Sequence, residues 1–293
     1  MPAPDRPERA AFPMARLKRL MLAVLASVVP ARVASGRGAS GIAGARFPGK
    51  PRAHPTCILD PQTLRRAVVQ YGDDERLWEV LRRAEAGRPI VIAAIGGSVT
   101  QGAWATTPER TYVNRVFGWW RAAFPNAPMT LINAGIGRTD SLHGNKRLER
   151  DLLRCRPDFV ITEWANNDAI TLEMRASYRR LLTRILAAPS RPAVLMLFAM
   201  GRDGSSSEDN QVPVGRELGL PMVSLREAIL PIERSGRMDP KHRTADAVHP
   251  NDLGHRIIAR LVVHRLQSGL DSLRAGEAAP SGKDPGGRAG ARG

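Results

Sequence analysis

The chain has 293 residues, 43% of them hydrophobic, enough for one large domain or two small ones with a sizeable core. Its two cysteines, Cys57 and Cys155, exclude a disulfide-dense framework and offer no metal-ligand spacing; one bridge or two free thiols both remain open. The formal charge is +16, from 44 Lys+Arg against 28 Asp+Glu, and about half of the excess lies in residues 1–54, which hold ten Lys/Arg and two acids.

That basic leader reads as a solvated arm ahead of a nucleic-acid-binding one, and no specific nucleic acid is expected as a partner. Within it, Arg16, Lys18 and Arg19 precede an apolar run from Leu20 to Val29, followed by Val29-Pro30-Ala31. This resembles an export signal, so the expected location is periplasmic or extracellular, with the cytoplasm as the alternative. The run is too short to span a bilayer, and no other segment is expected to form a transmembrane helix. Residues 31–56, rich in Gly, Ala, Arg and Pro, read as linker. The expected organisation is leader and linker over 1–54, one catalytic domain over 55–270 and a disordered tail over 271–293. Nothing in the sequence fixes the oligomeric state.

From there, strand and helix patterns alternate. "LRRAVVQ" and "ERLWEVLRRAEAG" read as amphipathic helices, the second stopped at Gly87. Ile90–Ile95 is a short apolar run, the pattern of a strand covered on both faces. "TYVNRVFGWWRAAF" predicts a helix, "MTLINAG" a strand, "GNKRLERDLLRC" a helix and "PDFVITEWA" a strand. "MRASYRRLLTRILAA" is helical, "PAVLMLFAM" a strand, "LGLPMVSL" a last short strand and "PNDLGHRIIARLVVHRL" a closing helix. Such alternation predicts an α/β fold with a central parallel sheet between helical layers. Ligands in these folds gather at the carboxyl ends of the strands. Attention therefore goes to the ends of the first three strands and to the loop before the last helix.

Each of those places offers one part of an acyl-transfer site. Ser98 follows the first strand directly, after Gly96-Gly97, which permit a sharp turn and leave room above the hydroxyl. A serine hydroxyl needs a base, and "ADAVHPND" supplies a candidate. Asp246 and His249, three apart, can share one turn, the carboxylate orienting the imidazole and the imidazole taking the Ser98 proton. Pro250 suits the first position of the closing helix. His54, His143, His242, His255 and His264 lack a carboxylate at comparable spacing in a strand-end loop. Asn167 in "EWANND" can donate its side-chain amide to an oxyanion, with Asp168 holding the loop. A backbone N–H from Gly137 or Arg138 in "NAGIGRTDS" can add a further donor. Singly, each motif also fits a capping serine, a turn or a plain connecting loop.

Together they resemble the SGNH hydrolases, the GDSL-type esterases and lipases. The blocks stand here as Gly96-Gly97-Ser98, Asn133-Ala134-Gly135-Ile136-Gly137-Arg138, Ala165-Asn166-Asn167-Asp168 and Asp246-Ala247-Val248-His249. The resemblance implies a three-layer α/β/α, flavodoxin-like fold and a serine acyl-enzyme mechanism. It casts Ser98 as nucleophile, His249 as base and Asp246 as its orienter. The oxyanion hole it implies is made by the Ser98 N–H, a Gly137 or Arg138 N–H and the Asn167 amide. Gly97 replaces the family's aspartate, and Arg138 stands at the second-block glycine, where its side chain can crowd the pocket or bind an anionic substrate. The expectation is a carboxylic ester hydrolase acting on small esters or acylated carbohydrate, with no metal or organic cofactor. An O-acyltransferase using the same residues, with a sugar hydroxyl replacing water, is the alternative. A non-catalytic polyanion binder ranks last.

Overall fold

The computed structural model describes residues 59–276. The export-like leader, the linker, Cys57 with its pairing to Cys155, and the chain beyond Gly276 lie outside the described residues. Helix α1 (Pro61–Ala67) opens on Asp60, whose side chain accepts the Thr63 N–H at 2.7 Å, with Pro61 at the first helical position. The helix expected over "LRRAVVQ" stops at Ala67. Val68–Gln70 instead forms a strand, β1, because the β-branched pair Val68-Val69 sits better in an extended edge than in a helix.

Helix α2 (Glu75–Glu85) leads to β2 (Ile90–Gly96) and the short α3 (Ser98–Gln101). Next come α4 (Tyr112–Ala123), β3 (Met129–Gly135), α5 (Ser141–Asp151), β4 (Phe159–Glu163) and α6 (Leu172–Leu186). The chain continues through β5 (Ala193–Phe198), α7 (Glu208–Glu217), β6 (Met222–Ser224), α8 (Leu225–Arg234) and α9 (Asp252–Ala275). The sheet order is β1-β6-β5-β4-β2-β3. All neighbours are parallel except β1, which runs antiparallel to β6 with Val68 opposite Val223, so the expected parallel sheet carries one antiparallel edge.

Period-two alternation along β2 splits its side chains between two cores. Ile90, Ile92 and Ala94 pack with α2, α4, α8 and α9 on one face. Ala93 and Ile95 pack with α5, α6 and α7 on the other. Helices on both faces complete the three layers, the α/β/α arrangement expected from the sequence.

Several boundaries differ from the periodicity reading. Helix α5 begins at Ser141, three residues before the predicted start, because Asp140 caps it by accepting the His143 N–H at 2.8 Å. Helices α7 and α8 were not predicted; each carries an internal proline, Pro213 and Pro231, that breaks the sequence pattern. The strand in "LGLPMVSL" closes at Ser224, whose hydroxyl accepts the Glu227 N–H at 3.0 Å and turns Leu225 into the start of α8. Pro250 lies outside α9: Asn251 is the cap, accepting the N–H groups of Leu253 and Gly254 at 3.0 and 3.1 Å. Helix α9 also runs to Ala275 and ends on left-handed Gly276, so residues 271–275 belong to the helix and not to the expected tail. Among the described residues no helix is long and apolar enough to cross a membrane.

Candidate active site

The corner after β2 depends on close backbone approach. A Cβ on Gly96 would stand 2.3 Å from Thr100 Oγ1 and 2.4 Å from the Glu163 carbonyl oxygen, so only glycine lets α3 settle onto the strand ends. On the neighbouring strand, a Cβ on Gly135 would stand 2.2 Å from the Gln101 nitrogen. Beneath the corner, the buried Arg147 ties β2 to β3 by donating to the carbonyls of Gly96 at 3.0 Å and Ala134 at 2.6 Å. Ser98 is thereby held half-buried at the first position of α3, and its N–H has no acceptor among the described residues.

The loop before α9 brings the imidazole to this hydroxyl. His249 Nε2 lies 2.9 Å from Ser98 Oγ, and its Nδ1 lies 2.8 Å from Asp246 Oδ2. The other carboxylate oxygen of Asp246 accepts the N–H groups of Val248 at 2.8 Å and His249 at 2.7 Å, closing the turn on itself. Burial pushes the Asp246 carboxyl up, but the His249 N–H, the His249 ring and the Val248 N–H outweigh it and hold the pKa at about 2. Asp246 is therefore ionised at neutral pH and accepts a hydrogen bond from the Nδ1–H, which leaves Nε2 free to accept from Ser98. Arg243 and Pro250 fix the turn from below. Thr244 bridges to Pro250, and the Arg243 carbonyl accepts the Asn251 N–H at 3.0 Å. The fully buried Arg243 guanidinium is paired with Glu233 at 2.5 Å and donates to the Gly201 carbonyl at 3.0 Å.

Two further loops close around Ser98. Asn167, after β4, presses its side-chain carbonyl against Gly97, where a Cβ would stand 2.3 Å from Oδ1. That oxygen is buried without a partner, while the amide nitrogen stays accessible. Asp168 takes no part in this; it accepts the Ser141 N–H at 2.8 Å and the Gln211 amide at 3.0 Å, tying the Asn167 loop to α5 and α7. Burial raises its pKa to about 6 against the pull of those bonds. After β3, Arg138 adopts a left-handed conformation at φ 60° and its N–H has no acceptor among the described residues. Gly137 departs from the expectation of an open donor. Its N–H gives a hydrogen bond to Gln101 Oε1 at 2.9 Å, because Gln101, one turn after Ser98, reaches across to the loop.

Residues 94–257, more than half of the chain, match the GDSL-like lipase/acylhydrolase family. The chain belongs to that family. Among solved structures it is similar to a two-domain esterase (CEX) active on acetylated mannans, at 34% identity and a TM-score of 0.72, covering 76% of this chain and 60% of that one. The same esterase co-crystallised with mannopentaose gives 35% identity and a TM-score of 0.69, covering 76% of this chain and 59% of that one. A variant of Axe2, an acetylxylan esterase from Geobacillus stearothermophilus, shares the fold at 19% identity and a TM-score of 0.52, covering 60% of this chain and 94% of that one. The chain thus spans about 60% of the length of the two-domain esterase. A comparison with curated proteins finds no match.

Within this GDSL-like chain, three residues at the site, Gln101, Glu163 and Trp104, escaped the sequence reading, and His255, set aside there, proves to be a brace. Gln101 gave no signal beyond its place three residues after Ser98. Glu163, the first residue of "EWANND", is fully buried at the end of β4, and neither carboxyl oxygen forms a hydrogen bond. Burial, and less strongly the charge of Asp168, push its pKa to about 8, although the N–H groups of Ala165, Asn166 and Ala199 face it and pull the other way. His255 is buried as a neutral ring, its Nδ1 accepting the Tyr112 N–H at 3.3 Å and its Nε2 donating to the Ala103 carbonyl at 3.1 Å. Trp104 is 61% exposed and left-handed at φ 64°. An open cleft of about 250 Å³ adjoins Asn166 and Val248 and is lined further by Ile170 and Ser205–Ser207. Among the described residues no three His, Cys, Asp or Glu side chains are grouped to hold a metal ion.

Proposed function

We propose that this chain is a serine esterase that removes acyl groups, acetyl above all, from acylated carbohydrate. The observation that carries this reading is the unbroken hydrogen-bonded line Asp246–His249–Ser98 at the strand ends. Ser98 Oγ attacks the ester carbonyl carbon while its proton passes to His249 Nε2, and ionised Asp246 stabilises the imidazolium through Nδ1. The carbonyl oxygen, now an oxyanion, is met by the Ser98 N–H, the Arg138 N–H and the Asn167 amide, each donor worth ~3 kcal/mol in the transition state. The Gly137 N–H joins them only if Gln101 releases it. Collapse of the tetrahedral adduct expels the sugar alkoxide, which takes the proton back from His249 and leaves acyl-Ser98. Water, deprotonated by His249, then attacks the acyl carbon and returns the serine and a free carboxylic acid.

Acetylated carbohydrate as the substrate is supported by the likeness to the esterase active on acetylated mannans. The cleft beside the site is open and mixed, with Ser205, Asn166 and Asp168 among apolar Ala169, Ile170 and Val248, which suits a carbohydrate better than an enclosed apolar tunnel would. The test has two arms. Wild type should be labelled at Ser98 by a fluorophosphonate probe, with labelling lost in Ser98→Ala and His249→Ala. It should also release acetate from acetylated manno- or xylo-oligosaccharides. A folded wild type that takes no label sinks the mechanism; labelling without acetate release sinks the substrate.

A further inference from the structure

The segment that follows the nucleophile is an arch pinned at both ends to the site. At its start, the N–H groups of Gly102 and Ala103 both donate to the Ser98 carbonyl at 3.0 Å. His255, buried in α9, holds the Ala103 carbonyl at 3.1 Å. At its far end, Thr106 binds Asp252 twice, through its N–H at 2.9 Å and its hydroxyl at 2.8 Å, and Arg110 reaches the same carboxylate at 2.7 Å. Asp252 is the third residue after His249. Trp104, at the crown of the arch, is therefore fixed between the turn that carries Ser98 and the helix head that follows His249.

Its conformation is costly in two ways. A bulky residue at φ 64° lies where glycine or asparagine is ordinarily found. Its indole, 61% exposed, forgoes the burial that normally rewards so large an apolar surface. Both costs fall on one side chain, at the rim of a reactive serine. Around the same rim Ile136 and Val248 are also exposed, and the cleft beside Val248 offers the hydroxyl of Ser205 and the amide of Asn166. A flat, rigid, uncharged aromatic face beside an open cleft that mixes apolar side chains with Asn166, Ser205 and the Asp168 carboxyl complements a pyranose ring, which has an apolar C–H face and a rim of hydroxyls. The Asp168 carboxyl in its lining disfavours an anion there, and an open cleft does not enclose a long acyl chain.

We infer that Trp104 is the stacking platform for a sugar ring of the substrate, holding a neutral glycan across the Ser98–His249 pair. This deepens the esterase reading and rests on it for the place of the reacting ester. The indole takes the C–H face of one ring, and the cleft at Asn166 and Val248 takes hydroxyls of its neighbour.

The test compares wild type, Trp104→Ala and Trp104→Phe on an acetylated oligosaccharide and on an aryl acetate too small to span to the indole. The ratio of kcat/KM on the oligosaccharide to that on the aryl acetate should fall about five- to tenfold in Trp104→Ala, through KM. Trp104→Phe should recover most of it. Binding of unacetylated mannopentaose and xylopentaose by calorimetry to Ser98→Ala, with and without Trp104→Ala, reads the platform without chemistry and should weaken by a similar factor. An equal loss on both esters, or an unchanged ratio, would make Trp104 only a brace for the arch. If neither pentaose binds Ser98→Ala, the platform is refuted even where fluorophosphonate labelling shows the nucleophile intact.

Discussion

Two buried glutamates sit beneath the two halves of the site, and the fold treats them in opposite ways. Glu233, under the His249 turn, is locked to Arg243 at 2.5 and 3.2 Å, a full counter-charge in a dry place. Glu163, under Ser98, has no cation and no formed hydrogen bond, and burial keeps it largely protonated at neutral pH. The N–H groups of Ala165, Asn166 and Ala199 face it, and its charge would reach the buried phenols of Tyr112 and Tyr178, which are hydrogen-bonded to Thr100 at 2.8 Å and Thr162 at 2.7 Å. The proposed base, His249, is thus held up by a fixed ion pair reached through a loop, whereas the proposed nucleophile, Ser98, is held by backbone contact that leaves no room for a Cβ. Charge should matter most at the histidine end and volume at the serine end.

The strongest way to break this contrast is Glu233→Gln, which leaves the buried Arg243 charge unmatched. Urea unfolding should show a loss of ~3–5 kcal/mol; a loss near zero would mean that the pair is not what supports the turn. Gly97→Ala tests volume at the other end. The new methyl would stand 2.3 Å from Asn167 Oδ1 and push the amide aside, so kcat for an aryl acetate should drop ~100-fold while the fold persists. Full activity in that variant would remove Asn167 from the oxyanion donors.

Glu163→Gln sharpens the contrast through pH. A carboxyl whose folded pKa is raised from 4.5 to about 8 binds its proton more tightly in the folded state, so its stabilising contribution is full below 4.5 and is lost as the pH climbs through 8. The glutamine variant should therefore match wild type at acidic pH and exceed it at pH ~9 by on the order of 1–3 kcal/mol in urea titrations. A parallel decline in both proteins would show that another group is responsible. The smallest effect belongs to His255. Burial lowers its pKa below 6.5, opposed by nearby Asp252 and assisted by Arg115 and His249, so its protonation costs stability only as the pH falls below 6.5. NMR should find this ring titrating below the ordinary histidine range, with ~1 kcal/mol or less at stake.

The strands β2 to β5 and the longer helices between them were legible because each is long enough to show its pattern, and β2, β4 and β5 are apolar throughout because both faces of the sheet are covered there. Ser98, Asn167 and His249 were legible as places, since each stands at the end of such an element, and the structure brings them together. What was hidden depends on partners far away in sequence. A three-residue edge strand shows no alternation, so β1 looked like the end of a helix until Val223 lay opposite Val68. Prolines at 213 and 231 disguised two helices that tertiary packing sustains. The occupation of the Gly137 N–H by Gln101 and the isolation of Glu163 are facts of proximity that no local pattern encodes.

The length of α9 bears on how the protein is made. Its head follows the His249 turn, while its far half locks onto α2: Trp78 Nε1 donates to the Gly269 carbonyl at 3.0 Å, across 191 residues of sequence, and Arg265 pairs with Asp74. Ser98 and His249 are themselves 151 residues apart. At ribosomal speeds, Ser98 exists for on the order of ten seconds before His249 is even synthesised. The helix that presents the base also closes the most distant contacts of the fold, and such long-range contacts form slowly. On the proposed mechanism a growing chain therefore carries an inert serine, and hydrolytic competence arrives when α9 docks.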